Sequence, residues 1–370
     1  MDFELSEDHK LIKDTVARFV RDEYGFEDRQ KITSSDQMWS DEVYGQLAEL
    51  GLIAAVLPEA AGGIGGSGLD IMVIMEELGR GLVIEPFFAT AILGAGALAA
   101  VGGHEELLEG VIAGETRLAF AHHEPGRRYS VNRVDATATV SGDTVTLNGA
   151  KSVVAQGGAA HHIIVSAKDG DEMVLVLVPA DSEGMTVRAY QTNDGGNAAE
   201  ITLENVELGA GAVIARGDAA ASAIHQTLNR GLLALGAESI GAMEAARDLT
   251  VDYLKTRSQF GVPIGKFQAL QHRMVDCCLE IEQARSLVML AANEFQTPGD
   301  ALDRVLAAMK VKVGQSGRLM AEEGIQMHGG IGMTWEYSLG HFAKRLIMID
   351  HQLGDVDYHM KRFMALKAAA

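Results

Sequence analysis

The chain has 370 residues, enough for two or three domains around a substantial core. Its formal net charge of -20 argues against indiscriminate attraction to a nucleic-acid backbone. With 47% hydrophobic and 22% charged residues, the composition excludes a disordered chain and predicts a folded protein of the cytoplasm.

The first four residues, Met1-Asp2-Phe3-Glu4, are acidic where a secretory leader would be basic. The apolar run Ala89 to Gly102 is rich in Ala and Gly and too short to span a bilayer, which predicts no membrane insertion. Residues 1–113 read as an N-terminal helical domain. In its first helix Leu11, Val16, Phe19 and Val20 form an apolar side, and Asp8, Lys10, Lys13 and Asp14 face water. The cluster Gly62-Gly63-Ile64-Gly65-Gly66 interrupts helix and opens into the apolar run Leu69 to Leu78, a loop before a buried helix.

Residues 114–212 change to a period of two. Thr137–Val140 and Val145–Leu147 flank Ser141-Gly142-Asp143, and Ile163–Val165 and Val174–Val178 flank a segment holding Asp169-Gly170-Asp171. That alternation predicts hairpins in a middle antiparallel β domain. The helical period returns over residues 213–370, with Leu233, Ile240, Met243, Val251 and Leu254 along one stripe. The two cysteines, Cys277 and Cys278, are neighbours in an apolar stretch and offer neither a disulfide framework nor zinc-ligand spacing. The fold class expected is α+β, mostly α.

Two segments carry chemical information. Tyr253 to Gly265 ends a helix with Arg257 and Gln259 beside a glycine and proline turn. That reads either as a basic helix end answering the helix dipole or as a site for an anionic oxygen. Some sixty residues on, Gln326-Met327-His328-Gly329-Gly330-Ile331-Gly332 has paired glycines that let backbone approach a flat or phosphorylated ligand.

Together with the order of helices, sheet and helices, these motifs resemble the acyl-CoA dehydrogenase family across essentially the whole chain. The resemblance implies an N-terminal helical domain, a middle β domain and a C-terminal four-helix bundle through which subunits pair. It implies FAD as cofactor, an acyl-CoA substrate, and reoxidation by an electron-transfer flavoprotein. In the family a carboxylate removes the proton α to the thioester while hydride leaves the β carbon for the flavin, giving an α,β-unsaturated thioester. Arg257, Gln259, Phe260, Gln326 and Gly330 match residues that bind the FAD of a neighbouring subunit.

Other positions depart from the pattern. Glu124-Pro125-Gly126 begins the family's flavin loop, but Arg128-Tyr129 replaces the Gly-Ser that follows. The strand that usually reads Trp-Ile-Thr-Asn-Gly reads Val153-Val154-Ala155-Gln156-Gly157, without the ring or the hydroxyl. Leu353 and Gly231 occupy the two positions where the family carries its glutamate base. Asp355 is the nearby carboxylate that can substitute as base or touch the FAD, and Glu238, two helical turns past Gly231, reads as a buried hydrogen-bonded or interface residue. His122 and His123 open the flavin loop, where an imidazole either donates to flavin N5 or O4 or makes an ordinary polar contact.

The pattern is similar to a branch with pimeloyl-CoA dehydrogenase small subunits and paired steroid side-chain dehydrogenase subunits. In it one chain supplies the base and the other completes the FAD site of a heterotetramer. The resemblance thus implies a subunit active in bacterial fatty-acid, dicarboxylate or steroid side-chain degradation, as a homo- or hetero-oligomer. A structural homologue that binds no flavin is the alternative. A four-helix metal oxidase is disfavoured because the C-terminal helices carry no paired Glu-x-x-His motifs.

Overall fold

The computed structural model describes residues 5–366. Met1–Glu4, on which the reading of the leader rests, lie outside them. The chain resolves into two compact units that interleave in sequence. Unit 1 takes the chain up to Lys31, Ser67–Val83 and everything from Leu232; unit 2 takes Ile32–Gly66 and Ile84–Gly231.

Unit 1 is helical. Its first helix, Glu7–Glu23, is capped by the Ser6 hydroxyl and buries Val16, Phe19 and Val20. Leu11, expected on that inner side, is instead 67% exposed. It lies one and a half turns before Val16, so the 100° step carries it off the narrow buried stripe. Helix Gly68–Arg80 starts from a capping box between Ser67 and Asp70 and is buried along most of its length, as the apolar run predicts. The C-terminal bundle consists of helix Gly217–Thr256 from Leu232 onward with helices Gln268–Glu294, Asp300–His328 and Leu339–His351; the short helix Val356–Ala365 follows. Leu233, Ile240, Met243, Ile281, Leu306, Met309 and Leu346 form its core. Glu76 accepts from Lys13 at 2.8 Å and Arg285 at 3.1 Å, and Arg285 also reaches Glu244 at 2.6 Å, so one buried charge network ties four helices.

Unit 2 is built on a sheet of strands β1 (Leu118–Ala121), β2 (Thr137–Ser141), β3 (Thr144–Ala155), β4 (His162–Asp169), β5 (Glu172–Pro179), β6 (Met185–Gln191), β7 (Asn197–Gly209) and β8 (Val213–Arg216). The order is β6-β7-β3-β2-β4-β5-β8, with β1 also on β4. The two hairpins lie where the alternation puts them: Ser141 faces Thr144 across Gly142-Asp143, and Asp169 faces Glu172 across Gly170-Asp171. The sheet is not wholly antiparallel, because β1 and β2 both run parallel to β4. Their crossovers pass through other elements, so no local turn fixes their direction. The apolar run after Ala89 folds as the π-helix Phe88–Gly94 continued by helix Ala95–Val101. Among the described residues no helix is long and apolar enough to cross a membrane.

Candidate functional site

The two motifs of unit 1 meet through their own side chains. Helix Gly217–Thr256 ends just before Arg257, and strands β9 (Ser258–Gln259) and β10 (Val262–Pro263) form a minimal hairpin whose turn places Phe260 and Gly261 at positive φ. Phe260 is 90% exposed, with its ring centroid 6.2 Å from that of Phe267. Four residues before Arg257, Tyr253 stacks on His328 with ring centroids 4.4 Å apart. His328 is the buried anchor of the glycine segment. Its Nδ1 donates to Gly324 O at 2.9 Å, which leaves Nε2 to accept from the Tyr337 hydroxyl at 3.2 Å. This stack joins the hairpin to the segment that follows Gln326. The nominated residues Arg257, Gln259, Phe260, Gln326 and Gly330 are all exposed, as are neighbours such as Lys255, Ser258, Gly329 and Ile331.

The turn at Leu353, nominated from the sequence as a base position, is held from both sides. Leu353 has φ 56 and Gly354 φ 112. Buried Lys310 donates to Ile349 O at 2.8 Å, Asp350 O at 2.9 Å and Gly354 O at 2.7 Å, which uses all three ammonium protons and caps helix Leu339–His351. His359 Nε2 donates to Leu353 O at 2.9 Å, and burial draws this imidazole's pKa down to about 4. Asp355, nominated as a substitute base, uses Oδ1 to accept from Tyr358 N at 2.8 Å and caps helix Val356–Ala365. Its geometry is that of a helix N-cap. Glu238 is paired with Arg345, whose Nη2 sits 2.7 Å from Oε2 while Nε bonds the other oxygen; Arg345 Nη1 donates to Gln352 at 3.0 Å. Glu238 is thus held in an ion pair with Arg345.

In unit 2 the segment expected to form a flavin loop contributes Glu124 to a buried ionic cluster. Lys151 is wholly buried on β3 and donates to Glu124 at 2.7 Å and to Ser166 Oγ at 3.1 Å. Glu124 also accepts from Asp135 N and Ala136 N, at 2.6 and 3.0 Å, so its charge is answered by one ammonium and two amides. His122 Nδ1 lies 2.9 Å from the same Ser166 hydroxyl, and its ring stacks along Phe120. The Ser166 hydroxyl accepts from Lys151 and lies 3.5 Å from Ala121 O as well, so it links His122 to the ionic cluster. Burial, His123 and Lys151 together draw the His122 pKa to about 3, and burial lowers that of His123 too. Val153, where the stacking ring is missing, sits in a bulge of β3 at φ 51 and is 57% exposed. Gln156 is also at positive φ and binds the chain before the π-helix, donating to Ile84 O and Glu85 O at 2.7 Å each.

The sequence reading missed Lys151, Ser166 and Gln156. The signal for Lys151 is a lysine inside an alternating strand, though its partner lies 27 residues away. A Cβ on Gly236 would lie 2.7 Å from Met309 Sδ, so this glycine serves helix packing.

Comparison with known proteins covers the same span. Family models described as acyl-CoA dehydrogenase N-terminal, middle and C-terminal domains match residues 6–115, 119–206 and 221–354. Acyl-CoA dehydrogenase IpdE2 of Mycobacterium tuberculosis is 31% identical over 340 residues, covering 92% of this chain and 91% of its own. A variant of the Tcur3481-Tcur3483 steroid ACAD is 31% identical with a TM-score of 0.87 over 97% of both chains. The ChsE4-ChsE5 complex from Mycobacterium tuberculosis, at 24% identity and full coverage of both chains, shares the fold with a TM-score of 0.90.

Proposed function

The chain belongs to the acyl-CoA dehydrogenase family, and from that membership we propose that it is a subunit of an FAD-dependent acyl-CoA dehydrogenase that completes the FAD site of a base-bearing partner chain. The observation that carries the reading is the Tyr253–His328 stack, which ties the two distant motif segments together, and we read their exposed residues as one patch. That patch fits the pyrophosphate and adenosine half of FAD. Arg257 would pair with the pyrophosphate, Gln259 and Gln326 would meet polar edges, Phe260 would supply an apolar face, and backbone at Gly330 can come close because no Cβ stands in the way. FAD, when bound, supplies the hydride acceptor for α,β-desaturation of an acyl-CoA thioester.

The chain's own flavin cradle fits less well. His122 is buried against Ser166, burial and Lys151 lower the pKa of His123, and Val153 offers no ring to stack. Leu353 and Gly231 accept no proton, and Asp355 caps a helix. These features favour a supporting subunit, as does the 31% identity to a steroid ACAD named for two chains. The reading assigns an acyl-CoA thioester and an electron-transfer flavoprotein as partners, with a place in fatty-acid, dicarboxylate or steroid side-chain degradation.

The test is FAD content and affinity of the protein as purified, with its partner chain and in the Arg257→Ala variant. Loss of one charge-assisted contact predicts about a 10–100-fold weaker FAD affinity. Unchanged affinity would contradict the assignment, and a colourless preparation with either partner state would favour the homologue that binds no flavin.

A further inference from the structure

Unit 2 carries a basic loop on a chain whose net charge is -20. Residues 125–134 hold Arg127, Arg128 and Arg133 with no Asp or Glu among them. The loop is closed at its neck. Glu124, bound to buried Lys151, accepts from Asp135 N at 2.6 Å and Ala136 N at 3.0 Å, so both ends of the loop meet on one carboxylate. Arg127 closes it a second time, its Nε and Nη2 donating to the two carboxylate oxygens of Asp135 at 2.7 and 2.6 Å. Within the loop, Arg127 N donates to Glu124 O at 3.1 Å and Ser130 N to Arg127 O at 3.2 Å. A compact loop with joined ends holds its side chains on a fixed base, the form in which surface loops carry binding residues.

Arg127 is committed to Asp135. Arg128 and Arg133 are both exposed, and no carboxylate among the described residues pairs with either. Arg128 also stands at φ 48, a conformation that glycine or asparagine takes with less strain. A turn that had only to face water would carry a small residue there. The position departs from the family pattern as well, Arg128-Tyr129 standing where it has Gly-Ser. An exposed guanidinium gains little from a single carboxylate in water. A phosphate brings up to two charges and several acceptor oxygens, which the planar fork of an arginine meets two at a time. With two forks on an anchored loop, little freedom is lost when such a group binds.

We infer that Arg128 and Arg133 form a phosphate-binding site of unit 2 that takes the phosphorylated part of a nucleotide. Two molecules of the acyl-CoA reading carry that chemistry: the CoA end of the thioester, with a diphosphate and a 3′-phosphate, and FAD, with a diphosphate alone. The site rests on the loop, and the choice between these two sources rests on that reading.

The experiment is calorimetric titration of the protein as purified, with its partner chain if one co-purifies, with CoA and with 3′-dephospho-CoA, beside a measurement of FAD affinity. Each is run on the wild type, on Arg128→Gln/Arg133→Gln, and on Arg18→Gln/Arg188→Gln, a pair of exposed arginines outside the loop that controls for lost charge. The expected result is a loss of about 10-fold or more in affinity for CoA or FAD in the loop variant and little change in the control. A loss for CoA that vanishes with 3′-dephospho-CoA puts the 3′-phosphate on the loop; a loss for both puts the diphosphate there; a loss confined to FAD makes FAD the ligand. The wild type reports by itself too: its affinity for that ligand falls as salt rises from about 50 to 300 mM, because exposed charges are screened. Affinities for CoA and FAD that are both unchanged in the loop variant, that fall equally in the control, or that ignore salt in the wild type overturn the inference and leave the assignment of Arg257 standing. Binding of neither nucleotide overturns it as well. If CoA fails to bind while FAD affinity falls in the loop variant, the acyl-CoA reading fails and the phosphate site stands.

Discussion

Removing Lys151 would leave Glu124 buried with two amides and no counter-ion. Breaking a buried pair costs about 3–5 kcal/mol, and the amides that remain on Glu124 place Lys151→Met near the lower end. Urea unfolding followed by circular dichroism reads that loss directly. A second residue sets the acid limit. The His359 pKa lies near 4, below the ordinary 6.5, because burial opposes its charge despite the bond to Leu353 O, with Lys310 and Arg362 adding repulsion and Asp355 acting the other way. As pH falls the unfolded chain takes up this proton first, so the group's contribution, complete above 6.5, is lost between about 6.5 and 4 and amounts to about 3 kcal/mol. His359→Gln keeps a donor for Leu353 and removes the titration. Its melting temperature should fall less steeply than that of the parent over that pH window; identical slopes would contradict the assignment. Arg257, Gln259, Gln326 and Gly330 could be nominated from the sequence because they stand in contiguous motifs. The Lys151–Glu124 pair and the capping role of Asp355 were not, since each depends on which distant or local amide the folded backbone presents.

At the scale of elements, the closest packing in unit 1 is between helix Gly68–Arg80 and helix Gly217–Thr256. A Cβ on Gly241 would stand 1.7 Å from Glu76 O, and one on Gly79 would stand 2.2 Å from Glu238 O. The two backbones touch with no side chain able to move aside. Gly241→Ala should therefore destabilise by about 3 kcal/mol or more, seen as a lower midpoint in thermal unfolding, while an exposed glycine such as Gly209, with open space around it, should tolerate the same change. Helices and hairpins were readable because their periods of 3.6 and 2 are written in the apolar pattern. The π-helix was not, as it differs from an α-helix only in which carbonyl each amide reaches. The parallel placement of β1 and β2 on β4 escaped for a related reason: a hairpin announces its turn, and a crossover does not. The bulge at Val153 was also hidden, because a β-branched residue at positive φ runs against its own preference and is set by the strand pairing around it.

At the scale of the whole molecule, the proposed reading gives the chain one half of a shared cofactor site and leaves the base to a partner. Phe260 stands 90% exposed on a hairpin beside the exposed guanidinium of Arg257, an arrangement suited to burial against another chain. The protein should accordingly run as a dimer or tetramer by light scattering at micromolar concentration, and a monomer with full flavin content would contradict the shared site. General-base catalysis contributes about 10²–10⁴-fold, so a chain with Leu353 and Gly231 at the base positions should turn over far more slowly alone than beside a glutamate-bearing partner. The most direct measurement is flavin bleaching with electron-acceptor reduction on adding acyl-CoA, compared between the isolated chain and the pair co-purified with a base-bearing homologue. The account predicts little or no bleaching in the isolated chain and rapid bleaching in the pair. Rapid bleaching by the isolated chain, abolished by Asp355→Asn, would contradict it and make Asp355 the base.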